Sequence, residues 1–382
     1  MIGAPEDPAR ALLERALADE TLLRAPAHQL ARGDRVAIYG AGHVGRDVAR
    51  RLQATGIRVA HFIDLRAQSL RVIDELPVLS PQVALNPSLP VVIGVFNRDA
   101  DPRGIHAMLR QAGATRVVDF VVLHAQFARE FGDRYWLVSQ EALRCQASAL
   151  RDGLDRWRDA ASRDHYARLL AYRLTGNPAH LPDPLDSVPY RPNDLPQPVG
   201  RARFVDGGAF DGDTIRAWLN ASVEVERYWG FEPDPENFAA LDRWRRGIPA
   251  PRPGFALKQA ALGRHDGTIR FETGAGEASR VAHGSGGRNV QLCALDSVLR
   301  DEWPTEIKLD IEGAEPDALE GARQTILRAT PRLAVCVYHR TDHLWSIASW
   351  IDALDAGYTL HLRPHAHSGF DTVTYAIPAD RG

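Results

Sequence analysis

Hydrophobic positions along this chain follow two alternating periods. Leucines and alanines at helical spacing over residues 9–23 (Leu12, Leu13, Leu17, Leu22, Leu23) predict a short amphipathic helix. The run Arg35-Val36-Ala37-Ile38-Tyr39 then predicts a buried strand, which enters Gly40-Ala41-Gly42-His43-Val44-Gly45 and a helix over 46–55. Apolar runs at 59–63, 91–95 and 116–119 predict further strands, with a helix over 105–113. Strand–helix–strand alternation of this kind buries a mainly parallel sheet between helices, so residues 33–124 read as a doubly wound, Rossmann-like α/β domain behind an N-terminal helical segment, 1–32.

Between 125 and 173 the period turns helical and strand signals vanish. Pro178, Pro182, Pro184, Pro189, Pro192, Pro196 and Pro198 follow, and prolines at this density neither extend a helix nor pair as a central strand. Residues 125–199 therefore read as a helical and Pro-rich connector. Strands are again predicted at 203–205, 228–231, 255–260, 307–309, 333–338, 358–362 and 372–377, with helices at 213–219, 236–245, 316–327 and 344–356 and a hairpin-like region at 268–272. Residues 200–382 form a second α/β domain, whose sheet closes with a helix and two adjacent strands.

Composition narrows the function. A chain of 382 residues can bury two cores, and 45% hydrophobic with 25% charged residues is an ordinary globular balance. A formal charge of -3 gives no electrostatic reason to expect nucleic acid or an acidic membrane as partner. Cys145, Cys293 and Cys336 are widely spaced, which fits neither a zinc site nor a disulfide framework and suits a reducing cytoplasm. No apolar run reaches the roughly 18 residues of a membrane span, and residues 1–19 lack a signal-peptide layout. The expected location is cytoplasmic. The basic side chains are almost all arginine; the two lysines, Lys258 and Lys308, hint at sites where arginine does not fit.

The second domain opens on Phe204-Val205-Asp206-Gly207-Gly208-Ala209-Phe210-Asp211-Gly212-Asp213-Thr214. Glycines let backbone approach a ligand, and the helix behind them offers free N–H groups. Asp206, Asp211 and Asp213 would repel a pyrophosphate and attract a cationic sulfonium bearing a protonated amine; S-adenosylmethionine is such a ligand. About 24 residues on, Phe231-Glu232-Pro233-Asp234 ends the next strand, where a carboxylate can accept ribose hydroxyls.

These motifs resemble those of FkbM-type methyltransferases, and they occur in the same order. The resemblance continues through Gln259-Ala260-Ala261-Leu262-Gly263, Leu295-Asp296, Ile307-Lys308-Leu309-Asp310-Ile311-Glu312-Gly313-Ala314-Glu315 and Val337-Tyr338-His339. It covers about residues 200–378, and Lys-x-Asp-x-Glu-Gly-x-Glu is its most specific part. Gly207-Gly208 departs from the pattern, because a small or polar residue often precedes the second glycine. The resemblance implies a class I methyltransferase-type seven-stranded sheet with S-adenosylmethionine as cofactor. It also implies that Asp206, Gly207, Gly208, Ala209, Asp211, Gly212, Asp213 and Thr214 surround the methionine part. Glu232 and Pro233 would then meet the ribose, Gln259 and Ala260 the adenine edge, and Asp310 would lie beside the cofactor.

Methyl transfer needs donor and acceptor aligned, and an alcohol acceptor also needs a base or a metal to take its proton. Alternation puts Lys308 and Asp310 on one side of their strand, which permits an ion pair. His339 ends the next strand, with His343 four residues on, and is the candidate base or ligand. Asp310, Glu312 and His339 could together hold a divalent cation such as Mg²⁺, while Glu315 could instead cap the following helix. His361, His365 and His367 read as polar positions near a substrate entrance.

The first turn, Gly40-x-Gly42-x-x-Gly45 with Asp64 ending the next strand, is a Rossmann fingerprint. It resembles the openings of nucleotide-binding domains in polysaccharide-modifying enzymes. NAD binding with redox chemistry, nucleotide-sugar binding and a packing or dimerisation role stay open there, and no Tyr-x-x-x-Lys dyad supports the first. The sequence thus predicts an O-methyltransferase acting on a hydroxyl of a sugar, polysaccharide precursor or secondary metabolite, with a small-molecule or sugar acceptor and an undetermined oligomeric state. The competing readings are an NAD-dependent sugar-nucleotide oxidoreductase and a non-catalytic nucleotide-binding protein.

Overall fold

The computed structural model describes residues 7–24, 30–84, 88–248, 254–272, 280–281 and 288–379. Residues 1–6, part of the stretch read as lacking a signal-peptide layout, lie outside it. The chain divides into two compact units: residues 1–154, 163–184 and 366–370 form one, and residues 155–162, 185–365 and 371–382 the other.

The first unit is built on six strands: β1 (Arg35–Tyr39), β2 (Arg58–Ile63), β3 (Val72–Ile73), β4 (Leu76–Leu79), β5 (Val91–Ile93) and β6 (Val117–Val118). They form one sheet in the order β3-β4-β2-β1-β5-β6. All pairs are parallel except the β3–β4 hairpin. The order reverses between β1 and β5, and the glycine turn leads from β1 into helix His43–Ala54 there. Ala37, Ile63, Val91, Ile93 and Leu109 share one core. The helices between 120 and 154 belong to this unit. The amphipathic segment 9–23 is two helices, Pro8–Ala18 and Thr21–Arg24.

The second unit carries two sheets. The smaller holds β10 (Ala260–Leu262), β11 (Gly267–Glu272), β12 (Arg280–Val281) and β13 (Arg288–Cys293), in the order β10-β13-β11-β12. The larger is built from β7 (Ala202–Gly207), β8 (Val225–Phe231), β9 (Gly254–Lys258), β14 (Glu306–Leu309), β15 (Arg332–Cys336), β16 (Tyr358–Pro364) and β17 (Thr372–Pro378). Its seven strands are ordered β16-β17-β15-β14-β7-β8-β9. β17 runs antiparallel to both β15 and β16, and the other pairings are parallel. The order turns between β7 and β14, so the carboxyl ends of these two strands bound the crevice where an open α/β sheet takes ligands.

Three further expectations change. The strand predicted at 255–260 is two strands in different sheets, separated at exposed Gln259. The helix predicted at 316–327 is Glu315–Glu320 and Arg323–Ala329. The Pro-rich stretch is not a bare connector: Val188 and Tyr190 pack on the Phe204, Trp218 and Tyr228 core, and Trp218 Nε1 donates to the Pro189 carbonyl at 2.8 Å. Proline forbids regular pairing; it does not prevent packing. Burial of aromatic surface of this size contributes roughly 2–3 kcal/mol per side chain.

Candidate functional site

The carboxyl ends of β7, β8, β14 and β15, together with the segment before β7, carry the side chains of the site. Lys308 and Asp206 are register partners on β14 and β7, and Lys308 Nζ lies 2.9 Å from Asp206 Oδ1. Both are buried. Lys308 also donates to the Gly208 carbonyl at 2.6 Å, and Tyr228 donates its hydroxyl to Asp206 Oδ2 at 2.9 Å. Burial alone would lower the lysine pKa, but Asp206, Asp310 and Asp213 hold it above its ordinary value, so it stays charged. Alternation permits an ion pair between Lys308 and Asp310, but Lys308 pairs with Asp206, because register sets the two face to face. Asp206 therefore braces the turn from beneath rather than presenting its carboxylate to a ligand.

The turn is held by close backbone approach. Gly208 has φ +75, and a Cβ there would lie 1.9 Å from the Asp310 carbonyl oxygen. Its N–H and that of Ala209 both donate to the Phe231 carbonyl at 3.0 Å. The acidity of the turn is smaller than its sequence suggests: Asp206 is paired with Lys308, and Asp211 with Arg216 at 2.6 Å. Asp213 is exposed and binds the Thr214 N–H at 2.7 Å.

Glu232 is buried at the end of β8. Its Oε2 accepts the Phe210 N–H at 2.9 Å and its Oε1 the Asp234 N–H at 2.8 Å. Burial pushes its pKa up, partly countered by these amides. Each oxygen keeps a second lone pair for a hydroxyl donor. Pro233 follows it, while Ala260 is buried and Gln259 exposed.

Asp310, Glu312 and His339 meet at the ends of β14 and β15. His339 Nε2 is 3.3 Å from Asp310 Oδ1 and 3.8 Å from Glu312 Oε2. Its Nδ1 donates to Glu315 Oε1 at 2.8 Å. That oxygen also accepts the Ile311 N–H at 2.9 Å, and Glu315 Oε2 lies 3.3 Å from His343 Nδ1. Glu315 is thus more than a helix cap: fully buried, it ties the loop after β14 to the two histidines. Burial alone would lower the His339 pKa, yet Glu315, Glu312 and Asp310 lift it to about 9. The same histidines hold Glu315 well below the usual carboxylate range against the effect of burial. Asp310, Glu315 and His339 bring ligand atoms within 4.8 Å of one another.

Sequence reasoning missed Tyr190. Its hydroxyl donates to Asp310 Oδ2 at 2.7 Å, and its ring lies 5.3 Å from Lys308 Nζ. Tyr338 donates to Asp310 Oδ1 at 3.3 Å. Tyr190, Phe210 and Glu312 all have positive φ (60, 48 and 56). Left-handed backbone at bulky residues is strained and gathers at functional sites. The late histidines do not cluster: His361 binds Asp159 at 2.6 Å, His365 binds the Tyr375 hydroxyl at 2.9 Å, and His367 belongs to the first unit.

In the first unit, Asp64 is engaged on both oxygens. Oδ2 accepts the Ala41 N–H at 2.9 Å, and Oδ1 the Arg66 N–H at 2.8 Å, with the Arg66 guanidinium bridging both. A Cβ on Gly45 would lie 1.9 Å from the Gly40 carbonyl oxygen, whereas one on Gly42 would meet nothing within 4 Å.

The sheet order is that of an α/β fold consistent with methyltransferase-like domains. Residues 206–360 match the family model for the methyltransferase FkbM domain. A crystal structure of methyltransferase FkbM from Methylobacillus flagellatus KT is similar over 97% of this chain and 100% of its own, with 22% identity and a TM-score of 0.75. At that identity the likeness shows the fold. No curated protein matches the chain. No described helix is long and apolar enough to cross a membrane.

Proposed function

We propose that this methyltransferase uses S-adenosylmethionine and transfers its methyl group to a hydroxyl of a sugar, polysaccharide precursor or secondary metabolite. Among the groups the donor offers for recognition are ribose hydroxyls, an ammonium and a sulfonium, and the site supplies the carboxylates of Glu232 and Asp213 as acceptors. The residues fit the group on that chemistry. Glu232 would take the ribose hydroxyls, Asp213 and the turn the amino-acid end, and Ala260 the adenine edge. When bound, the cofactor supplies an electrophilic methyl group on a cationic sulfur.

One observation favours a hydroxyl acceptor: the Asp310–Glu312–His339 cluster at the strand ends. A hydroxyl is a poor nucleophile until its proton is drawn off. Tyr190 fixes Asp310 and Glu315 fixes His339, so both are held in one orientation at the strand ends. Preorganisation of this kind is what an in-line displacement requires of the protein. The test is methyl-labelled S-adenosylmethionine incubated with a panel of monosaccharides, nucleotide sugars and simple alcohols. Label recovered as an alkali-stable ether on one acceptor class supports the reading. Label found only on carboxylates or amines overturns the hydroxyl assignment.

A further inference from the structure

A base that takes a hydroxyl proton must be touched by the hydroxyl oxygen. His339 offers no such contact. Its side chain is 2% exposed, Nδ1 is held by Glu315 at 2.8 Å, and the covered Nε2 faces Asp310 Oδ1 at 3.3 Å and Glu312 Oε2 at 3.8 Å. With carboxylate oxygens before both nitrogens, each nitrogen keeps its proton, and the ring has no lone pair to take another. Asp310 is reachable but engaged: Tyr190 donates to Oδ2 at 2.7 Å, Tyr338 to Oδ1 at 3.3 Å, and His339 lies beside Oδ1. Donors on a carboxylate stabilise its charged form and weaken it as a base.

Glu312 is presented differently. It and Gly313 turn through left-handed backbone, at φ 56 and φ 102. Such backbone at a glutamate persists only where the surroundings impose it. The N–H groups on either side of Glu312, those of Ile311 and Gly313, both donate to Glu315 Oε1, at 2.9 and 3.4 Å. That same oxygen holds His339. One fully buried carboxylate thus fixes both the loop that carries Glu312 and the imidazolium beside it. The Glu312 side chain is 24% exposed against 2% for His339, so a hydroxyl can reach the carboxylate and not the ring.

We propose that Glu312 is the general base of the methyl transfer, with Glu315 and His339 as positioning residues, a division of roles that rests on the hydroxyl-methylation reading. The acceptor oxygen bonds to the methyl carbon, and the carbon–sulfur bond breaks with its electron pair going to sulfur. The hydroxyl proton passes to the Glu312 carboxylate and from there to solvent. The sulfonium and the carboxylate lose their charges together.

The test is Glu312→Gln in the full chain, with methyl-labelled S-adenosylmethionine and the panel of sugars and alcohols. Turnover should fall at least about a hundredfold while affinity for S-adenosylhomocysteine stays within about threefold. A smaller loss of turnover, or a larger loss of affinity, overturns the proposal. Diethyl pyrocarbonate, which acylates accessible neutral imidazoles, gives a readout independent of turnover. Peptide mapping should find His339 unmodified in the cofactor-free wild type at neutral pH; modification there overturns the proposal as well. Wild type that binds no S-adenosylhomocysteine, or labels no hydroxyl, rejects the methylation reading itself. Wild type that does both, beside an equally active Glu312→Gln, rejects only the base.

Discussion

Lys308 and Asp206 stand opposite each other on adjacent strands, 2.9 Å apart and buried. The lysine also reaches the Gly208 carbonyl. One ammonium thereby joins β14, β7 and the turn that both strands bound. An arginine would place a wider planar group with more donors in a space shaped for a single point charge.

Removing the lysine alone leaves Asp206 charged and buried without its partner. Lys308→Met should therefore lower stability by about 3–5 kcal/mol. The double variant with Asp206→Asn should recover at least about 1 kcal/mol of that loss. Urea denaturation of the four proteins gives the coupling; strict additivity would show that the pair is not the connection described.

Tyr190 holds Asp310 through one hydroxyl. Tyr190→Phe keeps the ring over Lys308 and removes only that bond. Turnover should fall about tenfold, in the range seen when an orienting partner is lost. Affinity for S-adenosylhomocysteine should stay within about threefold. A drop in affinity with unchanged turnover would mean that Tyr190 lines the cofactor's position instead.

What is legible in the sequence depends on distance along the chain. The strand and glycine turn at 204–209 and Glu232 can be read because an apolar run, a turn and a strand-end acid lie within one local unit. The partner of Lys308 cannot, because register between β7 and β14 is set by strands about 100 residues apart in sequence. Tyr190 is hidden in a Pro-rich stretch that has no periodicity to read. β10 and β12, of three and two residues, are too short to carry an alternation signal, so the second sheet leaves little trace in the pattern.

Asp64 connects sequence to pH. Its pKa is lowered to about 2, chiefly by Arg66 and by the Ala41 and Arg66 amides. A depressed carboxylate contributes stability above its unfolded pKa of 3.8 and loses it as pH falls through about 2. Asp64→Asn should therefore cost about 1–2 kcal/mol at pH 6, with the solvent-exposed Arg66 limiting the effect. The gap to wild type should close between pH 4 and pH 2. A gap that does not change with pH would place the effect in packing rather than charge.

The same engagement bears on the first glycine turn. With both Asp64 oxygens taken, NAD should give no saturable heat on calorimetric titration. Gly42→Ala should fold with stability within about 1 kcal/mol of wild type, since its Cβ enters open space. Saturable NAD binding that Gly42→Ala abolishes would reverse this reading and restore a dinucleotide site.

If the crevice at the ends of β7, β8 and β14 takes S-adenosylmethionine, its demethylated product should bind there too. Calorimetric titration with S-adenosylhomocysteine, comparing wild type with Glu232→Ala, decides the matter. Wild type should show one site per chain, and the variant at least about tenfold weaker binding, because two ribose hydroxyls lose a charged acceptor. Absence of binding by folded wild type at high micromolar ligand, or equal binding by the two proteins, would refute the assignment.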